Sequence, residues 1–520
     1  IISKPCEQTA DEHAASLPKT VASAMTFHRF FNYDCSMEEQ HRNIPGIAAA
    51  QRSVTHPSCA PDALERIASQ IPPDARACIA ALEAGGYSAW LVGGYVRDLC
   101  MGRRPSDADI ATSAPVHTAA DLLAKAGWKI IPTGVKHGTI TALSPDGRLE
   151  VTTFRTEGDY ADNRHPSSVR FVDSIDEDLA RRDFTINAMA LHPLHGLKDP
   201  FGGIEDARRG VVKAVGDPCQ RFSEDGLRIL RCLRFASQLS FSIDGDTLDA
   251  AAACAPSIAN LSAERIEAEA SKLLCGPDAA RVILECHEIL EFAIPGIEAM
   301  AGLDQRSPYH CFDVLEHTAR VLGAVPPDPE LRYAALFHDM GKPSCMTVDE
   351  RGRGHFPDHP RRSEEMARST MANLRCPRRT LEHVALLVRE HDEELHATES
   401  SIRRMAARLG GDEELLRKLI CLRRADALAH APEHTGGAEE MAKTLEVLDS
   451  MDRASRVFKL SDLAITGADL KAAGMEEGPA IGAALSALFE DAVEGRIEND
   501  REALLRKIRG TKTVENIHAD

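Results

Sequence analysis

Residues 91–112 read LVGGYVRDLCMGRRPSDADIAT, and the end of this stretch decides the fold. Asp107 and Asp109 stand at i and i+2, so on a strand their carboxylates point to one face. Two carboxylates so placed can hold a pair of divalent cations a few ångströms apart for an in-line phosphoryl displacement. The spacing therefore implies nucleotidyl-transfer chemistry. Gly93 and Gly94 end an expected strand, YSAWLV at 87–92, and let backbone N–H groups approach a triphosphate closely, while Arg97 adds a charge-assisted contact. An isolated DxD reads as a surface turn with solvated aspartates; this one has neighbours that supply the rest of a site.

WKIIPTG (128–134), HGTITALS (137–144) and RLEVTTFR (148–155) read as β-strands, with Pro145-Asp146-Gly147 turning the last two into a hairpin. Glu150 and Thr152 alternate with Leu149 and Val151, which sets Glu150 to face the aspartates as a third carboxylate. GDYADNRHPSSVR (158–170) is polar, lacks an apolar period and reads as a mobile loop. DLARRDFTINAMAL (178–191) follows. Arg181 and Arg182 offer planar donors suited to phosphate oxygens, and Asp183 and Asn187, at i and i+4, are expected to share a helix face.

The motifs GGYVRD…DAD, RRDFTINAMA, DPFGGIEDAR, RFSEDGLRILRCLRF and ERIEAEASKLL occur in this order along the chain. In that order they resemble the class II tRNA nucleotidyltransferases, the CCA-adding enzymes and their poly(A) polymerase relatives. The resemblance implies an α/β nucleotidyltransferase head with a polymerase-β-like mixed sheet, followed by all-α neck, HD and tail domains. It implies that Asp107 and Asp109 hold the catalytic metals, with magnesium as the expected ion. It further implies that Gly94, Arg97 and one or both of Arg181 and Arg182 hold the nucleotide. The partners it implies are tRNA, ATP and CTP, and it gives the 158–170 loop a part in switching from C to A addition.

In that family an EDxxR segment selects CTP and ATP through side chains rather than a template. Here it is Glu224-Asp225-Gly226-Leu227-Arg228. A carboxylate accepts from the exocyclic amino group that cytosine and adenine both carry, and a guanidinium donates to their ring acceptors. Asp225 and Arg228 are expected on one helix face, with Arg231 and Arg234 continuing the i+3 row toward the phosphates. Gly226 is expected to cost about 1 kcal/mol of local helix stability. The other reading of this helix is an amphipathic element with a solvated arginine stripe over Leu227, Leu230 and Leu233.

A second constellation lies in the middle of the chain. His317 in FDVLEHTARVL, His338-Asp339 in LFHDMGK and Asp426 in CLRRADALAH match the H…HD…D pattern of HD phosphohydrolases. Mixed imidazole and carboxylate ligands suit a transition metal such as Ni2+ or Mn2+ with open positions for a phosphoester oxygen. Lys342 can add a phosphate contact, and His359 and His391 stand where binuclear HD domains place further ligands. The alternative is a helical spacer.

A chain of 520 residues exceeds what one core organises. The expected division is an N-terminal extension over 1–70, partly disordered, a head over 71–215, a neck over 216–280, an HD domain over 281–440 and a tail over 441–520. From residue 216 onward nearly everything reads helical. Fourteen cysteines without a CxxC pair argue for reduced thiols. No apolar run of spanning length and no signal peptide is read in it, which leads to a cytoplasmic expectation. The net charge of −19 opposes indiscriminate RNA binding. Basic residues nonetheless cluster at Arg403, Arg404 and Arg408, at Arg417, Lys418, Arg423 and Arg424, and at Arg506, Lys507, Arg509 and Lys512, each able to track an RNA backbone. Three readings compete with CCA addition: a poly(A) polymerase or A-adding enzyme, an HD phosphohydrolase with an RNA-binding head, and a non-enzymatic RNA-binding factor.

Overall fold

The computed structural model describes residues 67–144, 147–157, 169–452 and 455–517, all within one compact unit, His56–Asp520. The expected N-terminal extension as far as residue 66, the hairpin tip at Pro145 and Asp146, and the 158–170 loop as far as residue 168 lie outside the described residues; Ile67 and Ala68, expected in that extension, are instead buried in the head's core.

The head is a seven-stranded mixed sheet in the order β3-β4-β5-β2-β1-β8-β9. Its strands are β1 (Ala89–Val92), β2 (Ala108–Thr112), β3 (Lys129–Gly134), β4 (Thr139–Leu143), β5 (Arg148–Thr153), β8 (Ala190–His192) and β9 (Gly196–Lys198). A separate ribbon pairs β6 (Arg155–Glu157) with β7 (Val169–Phe171), so Val169 and Arg170 are strand residues and not part of a loop. The β2–β5 pair is parallel, and the other pairs of the main sheet are antiparallel.

Alternation along the strands divides the sheet into two unlike faces. Ala108, Ile110, Leu149 and Val151 bury against Ile79 and Leu82 of helix α1 (Pro73–Ala84) and Ala119 and Leu123 of helix α3 (Val116–Lys125). Asp109 and Glu150 therefore project from the opposite face. Between β1 and β2 runs a short helix, α2 (Gly94–Cys100).

The stretch 178–191 corrects the sequence reading. Helix α4 (Ile175–Ala180) stops before the arginines, and only a 3-10 turn, Thr185–Asn187, follows before β8. Asp183 and Asn187 do not share a helix, yet the turn still brings them together, with Asn187 Nδ2 donating to Asp183 Oδ1 at 3.3 Å.

Beyond residue 216 the chain is helical apart from Ser242–Ile243, which pairs with Val211–Val212, and the ribbon Thr347–Val348 with Gly354–His355. One continuous apolar core runs from Phe184 and Ile186 of the head, through Leu230 and Leu233, to Leu415, Leu448 and Phe458. The segment expected as neck and the segment expected as HD domain both contribute to it. A smaller core, with Leu470, Leu488 and Leu504, holds the C-terminal helices. Among the described residues no helix is long and apolar enough to cross a membrane.

Candidate active site and metal centre

The strand register sets the carboxylates. Asp109 lies opposite Val92 on β1 and Glu150 on β5, and Asp107 sits two residues before it, just outside β2. Burial, then the neighbouring Glu150 and Asp107 charges, push the Asp109 carboxyl up to about 6, with Arg182 pulling the other way. Mutually repelling carboxylates in a half-buried position are a donor set that a divalent cation satisfies. Gly93 adopts φ 76° and ψ −142°, a conformation that disfavours any side chain. A Cβ there would lie 3.1 Å from Arg182 Nη1 and 4.0 Å from Asp109 Oδ2, so the glycine keeps open the space between the guanidinium and the acid.

Asp178 went unnoticed in the sequence, where it reads as one more acid in the first turn of a helix. It is almost fully buried and accepts from Arg181 Nη2 at 2.8 Å and Arg182 Nη2 at 3.1 Å. Burial opposes its ionisation, but the two arginines hold it below the usual carboxylate range. It thereby fixes both guanidinium planes. Arg97 is buried, with Nη1 donating to Asn187 Oδ1 at 2.8 Å and Nε to Asp98 at 2.9 Å, and it lies beside Gly94 at the start of α2. In this arrangement Arg97 braces the turn carrying Asn187.

The EDGLR segment is not one helix. Helix α5 (Pro218–Glu224) ends at Glu224, Asp225 is extended, and helix α6 (Leu227–Leu239) begins beyond Gly226. Asp225 and Arg228 thus do not lie along one helix face; Asp225 Oδ1 accepts from Leu227 N at 3.0 Å, and its carbonyl accepts from Arg228 N at 2.9 Å, capping the new helix. Gly226 is a packing position rather than a helix-interior cost, because a Cβ there would come 2.7 Å from Ser257 Oγ. Glu224 pairs with Arg221 and Arg228, and Asp225 with Arg265 at 2.7 Å in helix α7 (Ala263–Leu274). Arg265, forty residues away in the chain, lies in the ERIEAEASKLL motif, but nothing in the sequence singled it out as the partner of Asp225.

Helix α6 is riveted to the head. Arg231 donates to Asp183 at 2.8 and 2.5 Å, and Arg228 Nη2 donates to the Arg181 carbonyl at 3.1 Å. Although burial opposes it, Arg231 holds the Asp183 carboxyl down at about 2. Arg97, Arg231 and Arg234 gather around the Phe235 ring, with Arg234 3.9 Å from its centroid. Arg234 is buried and bound to Glu269 and Gln238, so it holds α6 to α7 and does not continue a row toward phosphates.

In the second constellation five helices converge. His317 comes from α8 (Val314–Ala324), His338-Asp339 from the end of α9 (Pro329–Phe337), His359 from the start of α10 (His359–Asn373), His391 from the end of α11 (Arg378–Glu390) and Asp426 from α12 (Glu413–Leu428). His317 Nε2 stands 2.9 Å from Asp426 Oδ1 and 3.5 Å from Asp339 Oδ2, and His338 Nε2 3.3 Å from the same Asp339 oxygen. The other Asp339 oxygen faces His359 Nε2 at 3.4 Å and His391 Nε2 at 3.8 Å. Two compact donor sets result, His317–His338–Asp426 and Asp339–His359–His391. The Nδ1 atoms of His338, His359 and His391 lie 2.8, 3.1 and 2.6 Å from the carbonyls of Ala335, Phe356 and Val388. With Nδ1–H donating outward, each Nε2 lone pair is turned to the centre, the tautomer a metal requires. Burial pushes His391 down to about 3, which keeps it neutral. Lys342 Nζ lies 2.7 Å from Asp339 and 2.8 Å from Gln305 Oε1, committed to the fold around the centre.

The basic clusters are largely spent on internal pairs. Arg403 is buried against the Val493 carbonyl and Glu399, Arg404 binds Glu494, and Arg408 binds Glu390 and Glu393. Arg417 pairs with Asp449 and Glu413, Lys418 with Asp328 and Glu330, and Lys507 with Asp491. The Lys512 side chain lies outside the described residues.

Comparison with known proteins bears on the head and on the helical segments around it. Residues 89–213 match the poly A polymerase head domain, 240–300 the probable RNA and SrmB-binding site of polymerase A, and 361–508 a putative tRNA nucleotidyltransferase domain 2. The CCA-adding enzyme of Leuconostoc mesenteroides is 32% identical over 432 residues, 83% of this chain and 94% of that one. The Geobacillus stearothermophilus CCA-adding enzyme is 45% identical over 229 residues, and there the match spans 44% of this chain and 56% of that enzyme's length. The crystal structure of the Bacillus stearothermophilus CCA-adding enzyme in complex with CTP superposes with a TM-score of 0.64 at 29% identity, covering 86% of this chain and 100% of the other. The Thermotoga maritima enzyme complexed with tRNA, at 19% identity and a TM-score of 0.53, shares the fold. With the ordered motifs, the mixed sheet and a relative matched over nearly its whole length, the chain belongs to the CCA-adding enzyme family of tRNA nucleotidyltransferases.

Proposed function

We propose that this protein adds CMP and AMP to the 3′ end of tRNA from CTP and ATP, without a nucleic-acid template, and releases pyrophosphate. The observation that carries the reading is the register of Asp109 against Glu150, with Asp107 two residues before and the Arg182 guanidinium across the gap that Gly93 keeps open. Magnesium held by Asp107 and Asp109 would lower the pKa of the attacking 3′-hydroxyl and neutralise the triphosphate. Arg182, fixed by Asp178, is the residue placed to clamp the triphosphate, with Arg181 beside it. Asp225 and Arg228 read the base edge. Because Arg228 is paired with Glu224 and Asp225 with Arg265, an incoming base must take over contacts that these side chains now make with each other. CTP and ATP can do so through an amino donor and a ring acceptor; UTP and GTP present the reverse edge. We place the protein in the cytoplasm, with tRNA as its macromolecular partner.

The competing activities, poly(A) synthesis or A addition alone, are separated by one assay. Incorporation is profiled on a tRNA lacking all three terminal nucleotides and on one lacking only the last adenosine. CMP addition to the first and AMP addition to the second is the expected result; AMP addition alone, or long A tails, would replace the reading.

A second activity is favoured by the outward-donating Nδ1 atoms of His338, His359 and His391 around Asp339 and Asp426. We read this centre as a transition-metal phosphohydrolase, taking Ni2+ or Mn2+ and acting on a 2′,3′-cyclic nucleotide or a 2′-phosphate. A protein purified without transition metal, and inactive on both substrates with nickel and manganese supplied, would reduce the region to a helical support.

A further inference from the structure

Several arginines near the histidine and aspartate centre are committed to carboxylates. A cavity of about 630 Å³, in the size range of small-ligand sites, opens beside two of the ligands. Its lining includes Asp358, which precedes His359, and Asp392, which follows His391. Arg361, Arg389 and Arg408 also line it, and each is committed: Arg361 to Glu365, Arg389 to Glu390, Arg408 to Glu390 and Glu393. Arg423 differs. It stands on α12 three residues before Asp426, hence on the same helix face. Its Nη1 is buried with no hydrogen-bond partner among the described residues. The carboxylates of Asp392, Asp426 and Glu393 lie close enough to act on it electrostatically, yet none forms an ion pair with it among the described residues.

A buried guanidinium nitrogen with an unused donor destabilises a fold. Arg417 on the same helix, by contrast, pairs with Asp449 and Glu413. We propose that Arg423 is an oxyanion subsite of the metal centre, donating to the nonbridging oxygens of a phosphoryl group whose other oxygens would face the metal that Asp339 and Asp426 would hold. The planar fork of arginine matches a tetrahedral phosphoryl group. The ligand class is a phosphoester of a nucleoside or an RNA end, or the inorganic phosphate that its hydrolysis leaves. The proposal rests on the phosphohydrolase reading for its substrate, but the subsite itself can be tested apart from it.

The test uses the full chain loaded with manganese and the variants Arg423→Gln and Arg423→Lys. Metal content, melting temperature, KM and kcat on 2′,3′-cyclic AMP and adenosine 2′-monophosphate, and binding of inorganic phosphate by calorimetry are measured together. Arg423→Gln should keep its metal and melt no lower than wild type, because no ion pair is lost and a buried unpartnered donor has gone. Its KM should rise, and its phosphate affinity fall, by roughly tenfold, the loss of one charge-assisted contact, with Arg423→Lys recovering part of both. The two substrates distinguish a monoester from a cyclic diester as the preferred source of the phosphoryl group. Equal phosphate binding in wild type and Arg423→Gln overturns the subsite whatever the hydrolase does. So does a fall in melting temperature or metal content shared by both variants, which would make Arg423 structural. A wild type that binds metal and phosphate but hydrolyses neither substrate removes the phosphohydrolase reading and leaves the subsite standing, provided Arg423→Gln loses the phosphate.

Discussion

Asp109, the proposed metal ligand, holds its place at a cost to the folded state. Its carboxyl titrates near 3.8 when unperturbed and about 6 in the fold. Between those values the folded chain keeps a proton that the unfolded chain has released, so this group's contribution to stability falls as pH rises from about 4 to about 6 and stays lost at neutral pH. Asp109→Asn should therefore abolish nucleotide incorporation yet raise the melting temperature at neutral pH in metal-free buffer by roughly 1–3 °C, with the gap closing near pH 4. Magnesium should raise the melting temperature of wild type more than that of the variant. Wild-type incorporation should climb as pH passes about 6, where the carboxylate becomes free to hold metal. A variant that melts lower than wild type at neutral pH would show that Asp109 is held by contacts rather than repelled by its neighbours. That Asp109 stands level with Glu150 was legible in the sequence because a period of two is the strand's own geometry, whereas Asp107 lies just outside β2. The pairings of Asp178 and Arg265 were not, since an acid in a helix's first turn looks solvated and a contact across forty residues leaves no local trace.

At the scale of elements, the strands β1 to β5 were readable to within a few residues from apolar alternation and the glycine turns, whereas β7 reads as loop. Two of the misread segments, Asp183–Asn187 and Glu224–Arg228, share a cause. Spacings of three and four residues occur in 3-10 turns and across helix junctions as well as in helices, and only tertiary contacts distinguish them. Both segments meet at the seam where α6 joins the head. Asp183→Ala would strand the Arg231 guanidinium there and should cost about 3 kcal/mol, visible as a lower denaturation midpoint and lost incorporation of both nucleotides. An unchanged midpoint would mean that Arg231 finds a substitute partner. Asp225→Ala and Arg228→Ala should instead erode discrimination against UTP and GTP, because the complementary edge is lost. Equal slowing with all four nucleotides would make the junction a purely structural hinge.

For the whole molecule, the two centres draw on different ligands, carboxylates in the head and mixed imidazole and carboxylate in the helical region, and should therefore be separable. Asp339→Ala should lose transition metal and any phosphohydrolase activity while CMP and AMP incorporation persists; Asp107→Ala should do the reverse. Metal analysis alongside both assays on both variants checks this, and parallel loss of both activities in either variant would show that the centres are not independent. The order of motifs was enough to read an α/β head followed by helices. It was silent on how those helices share their interior, because an amphipathic pattern shows that a face is buried and not which neighbour buries it.

That shared interior bears on how the chain can be divided. Phe184 and Ile186 belong to the same apolar core as Leu415 and Phe458. A fragment ending near residue 300 would leave Val282, Ile283, Ile289 and Ile294 without the helices that cover them, an exposed patch of the kind that drives aggregation. Subcloning the transferase half alone is thus expected to give insoluble protein, and the two halves, co-expressed as separate polypeptides, should rescue each other by reassociating along that cut.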